Sequence, residues 1–120
     1  MMEFQKLKIW QRSLALSVAV QRATKGRGAL APTGLNAQLN RACSSVPANI
    51  AEGCGYDAPL QTARFLDIAI GSLNESETHL LIAISSGVIT EKLGAEFVSE
   101  VQQLRRMILK YKVWVLRLKT

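Results

Sequence analysis

Apolar residues return every three or four positions through four stretches of the chain, and no stretch alternates apolar with polar residues as a half-buried strand would. The pattern predicts an all-α domain. The first helix spans about 6–24 and ends at the turn Lys25-Gly26-Arg27-Gly28. The second starts near Pro32, whose fixed φ suits a first helical turn, and stops before Gly53. The third follows Asp57, read as its N-cap with Pro59 just behind, and closes at Gly87. The fourth takes Thr90 as N-cap, places Glu91 at the positive end of its dipole and runs to about Leu118. Helices joined by short turns pack beside their sequence neighbours, so the expected architecture is an antiparallel up-and-down four-helix bundle forming one domain over 1–120.

Projected at 100° per residue, Leu7, Trp10, Leu14 and Val18 share a stripe on the first helix, and Leu35, Leu39, Ala42, Cys43, Val46 and Ile50 share one on the second. The third helix offers Phe65, Ala69, Leu73, Leu80 and Ala83, and the fourth Leu93, Phe97, Val101, Leu104, Ile108, Tyr111, Val115 and Leu118. These stripes are the expected core. A second apolar set remains on the outer helices: Ile9, Leu16 and Val20 on the first, Val98, Leu109, Val113 and Leu116 on the last. A single bundle cannot bury both sets, and two aligned patches predict an oligomer interface.

Composition adds the class of protein. Apolar residues make up 48% of the 120 and charged residues 20%, which excludes a disordered chain. No uncharged stretch approaches the roughly 20 apolar residues that cross a bilayer. The opening Met1-Met2-Glu3-Phe4-Gln5-Lys6 has no basic-then-apolar layout of a secretory signal, so the expected location is the cytoplasm. Cys43 and Cys54 lack the paired spacing of a zinc or redox motif and are read as reduced thiols.

The net charge is +6, and its distribution matters more than its size. Lys6, Lys8, Arg12, Arg22, Lys25 and Arg27 meet only Glu3 in the first thirty residues, while Arg105, Arg106, Lys110, Lys112, Arg117 and Lys119 meet no acid after Glu100. In an up-and-down bundle the start of the first helix and the end of the last share a pole. Lys6, Lys8 and Arg12 are therefore expected near Lys112, Arg117 and Lys119, with Arg106, Lys110 and Arg117 in a ridge within about 40° of arc on the fourth helix. Such a surface neutralises phosphates without reading sequence. The alternative is a solvated face that maintains solubility.

Other features carry less chemistry. Glu75 and His79 lie one turn apart, but His79 is the only histidine, whereas carboxylate-bridged metal bundles need Glu-x-x-His on two helices; no metal and no cofactor are expected. Gly53-Cys54-Gly55 follows a helix rather than a strand and has no Lys-Ser/Thr, so it reads as a helix stop rather than a phosphate loop. Ser44 and Ser45 have no base beside them, and Cys43 lies on the core stripe. Pro47, within the second helix, removes one amide donor, leaves the Cys43 carbonyl unpaired and is expected to bend the final turns. No catalytic residues are expected, and the protein is not read as an enzyme.

Several blocks are together distinctive: Phe4-x-x-Leu7-x-Ile9-Trp10, Gln38-Leu39-Asn40-Arg41-Ala42, Ser45-Val46-Pro47-Ala48-Asn49-Ile50-Ala51-Glu52-Gly53, and Phe65-Leu66-x-Ile68-Ala69-x-Gly71-Ser72-x-x-Glu75-x-Glu77. Over nearly the whole chain they resemble the four-helix-bundle family first noticed in intervening sequences of bacterial 23S rRNA genes. Asn40 stands where that family commonly has a basic residue, and Cys54 and Tyr56 occupy an often basic turn. The resemblance implies an antiparallel bundle assembling as a homopentamer. The family is also similar to the accessory variability proteins of diversity-generating retroelements, which implies nucleic acid and a reverse transcriptase as partners.

The sequence thus points to a non-enzymatic homo-oligomer, without a membrane, that binds RNA or DNA through Lys8, Arg12, Arg105, Arg106, Lys110, Lys112 and Arg117. The competing reading is a protein-interaction scaffold for an acidic partner.

Overall fold

A computed structural model describes residues 3–28 and 31–118. Lys119, counted above in the basic set, lies outside them. Within them the chain forms four α-helices and no strand: α1 (Lys8–Thr24), α2 (Leu35–Cys54), α3 (Pro59–Ser85) and α4 (Glu91–Arg117). A short 3₁₀ turn over Phe4–Lys6 precedes α1, and Phe4 meets Trp10 edge to face at 5.2 Å. The body is a rod of 51 × 20 × 19 Å. Each helix packs on its sequence neighbour, and α1 also touches α4. Pairings between α3 and α4 run in opposite directions along the two helices: Asp67 meets Lys112, Glu77 meets Arg105, and Ile84 lies against Gly94.

Local chemistry fixes the helix ends, and two differ from expectation. Gly34 is left-handed at φ 81°, a conformation no helix continues through, so α2 starts at Leu35 rather than near Pro32. Ala58, not Asp57, is the N-cap of α3, because Pro59 forces the residue before it into extended backbone (φ −122°, ψ 110°). Gly53 lies inside α2, which also continues past Pro47. The other ends follow the sequence. Thr90 Oγ1 accepts from the Leu93 amide at 3.2 Å. Gly87 turns left-handed at φ 78°, so the Val88 amide reaches back to the Ala83 carbonyl at 2.9 Å and Val88 is buried over the helix end.

The core stripe of α2 is as the periodicity predicts, with all six residues buried, and α3 and α4 supply Leu66, Leu73, Leu80, Val101, Leu104 and Ile108 opposite it. On α1 the expected faces are exchanged. Ile9, Leu16 and Val20 are 5%, 6% and 0% exposed and belong to the core, whereas Leu7, Trp10 and Val18 are half-buried and Leu14 is exposed. These three residues are therefore not an oligomer face: the bundle has already covered them. Ser13 and Thr24 complete the buried stripe, each bonding its hydroxyl to a carbonyl of its own helix, Trp10 and Val20 respectively.

Candidate nucleic-acid interface

The ridge on α4 stands as the spacing requires. Arg106, Lys110 and Arg117 are exposed and, like Lys8 at the start of α1, have no ion-pair partner among the described residues. The other three expected cations are already neutralised across helices. Arg12 holds Glu100 with two guanidinium nitrogens and also reaches Gln103 Oε1 at 2.9 Å. Its bonds to Glu100 raise the Arg12 pKa further above its ordinary value despite partial desolvation. Arg105 donates to Asn74 Oδ1 and Glu77 Oε1, each at 2.9 Å, and Lys112 meets Asp67 at 2.7 Å. A cation whose charge an internal carboxylate already balances attracts phosphate less, so Arg12, Arg105 and Lys112 tie helices together.

The two outer helices still present one surface. Arg12, Gln103, Arg106, Met107 and Lys110 line a shallow groove of about 240 Å³ between α1 and α4. At the pole, Pro59 and Leu60 of α3 meet Leu116 and Leu118 at the end of α4 around a depression of about 230 Å³. The α2–α3 turn and the end of α4 therefore lie together at this pole.

Beside the ridge runs an apolar strip. Leu109, Val113 and Leu116 are 45%, 47% and 43% exposed, while Val98, expected with them, is half-buried against the core. Trp114 was not singled out by periodicity because it falls outside the core stripe. It stacks on Tyr111 at 5.7 Å between centroids and leaves half its surface open next to Lys110 and Arg117. An aromatic between cations on an exposed helix face is the signal that would have found it.

His79 Nε2 approaches Glu75 Oε2 at 3.5 Å, but Glu77, 200° further round the helix, turns to Arg105 instead. Among the described residues no three His, Cys, Asp or Glu side chains converge on a point, and no helix is long and apolar enough to cross a membrane. Both cysteines are free and buried, and burial pushes the thiol pKa of each upward, away from a reactive thiolate.

The family model of 23S rRNA-intervening sequence proteins matches residues 5–110. Among solved structures, a protein of unknown function from the S23 ribosomal protein family of Bacteroides thetaiotaomicron shares the fold. Its TM-score is 0.78 at 19% sequence identity, over 87% of this chain and 97% of that one. No curated protein matches the chain.

Proposed function

We propose that this chain, which belongs to the 23S rRNA-intervening sequence protein family, is a non-enzymatic oligomeric four-helix bundle that binds RNA or DNA by its phosphates. The observation that carries the reading is the row Arg106, Lys110 and Arg117, three exposed cations without acidic partners along one face of α4, with Trp114 open beside them as a stacking surface. The opposed pairings of α3 and α4 support an antiparallel up-and-down course. The exposed strip Leu109, Val113 and Leu116 supports self-association, as the homopentamer that the family resemblance implies.

The test is fluorescence anisotropy with a labelled RNA and a duplex DNA across a salt series. Wild-type affinity falls steeply with salt. Replacing Arg106, Lys110 and Arg117 together with Ala flattens the logarithmic salt slope by about 2–3, near 0.7–0.9 per lost phosphate contact. Absent affinity at low salt, or a slope unmoved by the triple variant, overturns the reading.

The exposed apolar strip favours a second reading, in which the same face docks a protein such as a reverse transcriptase or another acidic-surfaced partner. A complex that survives nuclease treatment and is lost with Leu109→Asp and Val113→Asp distinguishes it.

A further inference from the structure

Trp114 has a definite place on α4. Counted at 100° per residue from Arg106, Leu116, Leu109 and Val113 lie at about −80°, −60° and −20°, Arg117 and Lys110 at about 20° and 40°, and Gln103 and Trp114 at about 60° and 80°. The three cations therefore separate the apolar strip from the indole. The strip lies on the side where Arg105 and Lys112 reach the acids of α3, and Trp114 on the side where Gln103 and Met107 meet Arg12 of α1. Covering the strip does not require covering Trp114.

The indole is also held in place. Its ring lies against Tyr111 at an interplanar angle of 24°, Tyr111 is itself partly buried against the core, and 49% of Trp114 remains exposed. A ring already fixed by one aromatic neighbour loses little freedom when a second flat partner covers it. Lys110 stands one turn before it and Arg117 one turn after. From Arg106 to Arg117 the helix rises about 16 Å, room for a few nucleotides whose phosphates follow the ridge past the ring.

Cations and an open aromatic together discriminate between forms of nucleic acid. In a duplex each base is covered on both faces by its neighbours, and side chains meet only phosphates, sugars and base edges. An unpaired nucleotide offers a free face, and every base has one, so stacking there needs no particular sequence. Charge alone favours the opposite choice, since a duplex carries one phosphate per roughly 1.7 Å of axis and each strand by itself one per roughly 3.4 Å. A preference for the single strand must therefore come from the ring.

We infer, resting on the phosphate contacts proposed for the ridge, that this face of α4 is a binding site for an unpaired nucleic-acid strand. Its phosphates lie on Arg106, Lys110 and Arg117, and one base stacks on Trp114 on the side facing α1.

Fluorescence anisotropy of the full chain at low salt tests it with labelled oligo(dT) and oligo(rU) of about 12 nucleotides and with the oligo(dA)·oligo(dT) duplex of equal length. Both single strands are expected to bind several-fold more tightly than the duplex, and the ratio between them names the sugar preferred. Trp114→Ala weakens single-strand binding about 5- to 100-fold and reverses the preference, at an undiminished salt slope because no cation is lost. Trp114→Phe keeps a ring and recovers most of the affinity. In Trp10→Phe protein, where Trp114 is the remaining indole, oligo(dT) quenches the tryptophan emission and the duplex does not. Duplex binding as tight as single-strand binding, Trp114→Ala weakening both forms equally or neither, or emission unmoved by saturating oligo(dT) overturns the single-strand assignment. The phosphate reading survives those results if wild-type binding still falls steeply with salt and the Arg106, Lys110 and Arg117 variant flattens that slope. Absence of binding to all three probes at low salt overturns both.

Discussion

Residue identity on α1 explains the one face the sequence misplaced. The buried stripe runs Ile9, Ser13, Leu16, Val20, Thr24, and its two hydroxyl residues make it read as interrupted, whereas Leu7, Trp10, Leu14 and Val18 read as continuous. Burial of Ser13 and Thr24 is tolerable because each satisfies its hydroxyl within its own helix, a compensation that hydropathy does not register. Leu16→Ala should therefore cost about 2–4 kcal/mol, as a cavity in a packed core does, and Leu14→Ala less than about 0.5 kcal/mol. Urea unfolding of the two variants checks it, and equal losses would restore the other stripe. The thiols give a pH prediction at the same scale. Burial raises the pKa of Cys43 above its usual 9.0, and that of Cys54 likewise, so the folded state binds protons more tightly than the unfolded one. Stability from these groups is fully present below that value and declines as pH rises through the folded pKa. Urea midpoints should hold level from pH 7 to about 9 and then fall, and Cys43→Ala with Cys54→Ala should make the alkaline fall shallower.

At the level of elements, the sequence specified two helix ends that a single residue controls, misplaced the starts of α2 and α3, and missed what packing controls. The Thr90 cap and the Gly87 stop were visible because one side chain or one φ angle settles each. Gly53 was read as a stop, yet it is a contact point between helices. A Cβ placed there would lie 3.0 Å from Phe65 Cβ and 3.2 Å from the Thr62 carbonyl oxygen, neither of which a rotamer change can move. Thr62 Oγ1 also donates to the Gly53 carbonyl at 2.8 Å, locking α2 to the start of α3. Alanine in a helix interior ordinarily gains up to about 1 kcal/mol over glycine. Here overpacking should outweigh that gain, and Gly53→Ala should lose about 1–2 kcal/mol in chemical denaturation. A neutral or stabilised variant would mean that the α2–α3 crossing relaxes freely.

For the whole molecule, the excess of charge at both chain ends was legible, but its division into tied and free cations was not. Arg12 finds Glu100 at a separation of 88 residues and Arg105 finds Glu77 at 28, distances at which only the fold decides who meets whom. The surviving free row, Arg106, Lys110 and Arg117, shares α4 with the exposed Leu109, Val113 and Leu116, so the face proposed for assembly adjoins the face proposed for phosphate binding. If copies associate through that apolar strip, each copy repeats the ridge around a common axis, and a long nucleic acid touches several ridges at once. The gain then comes from effective concentration rather than from any new contact. Val113→Asp with Leu116→Asp removes no cation, yet should shift sedimentation to the monomer. It should also weaken binding of a long RNA by about 100-fold or more, while an oligonucleotide short enough for one ridge loses only the few-fold expected from two added negative charges. Equal losses for long and short strands would make the effect local electrostatics and separate the charge of α4 from assembly.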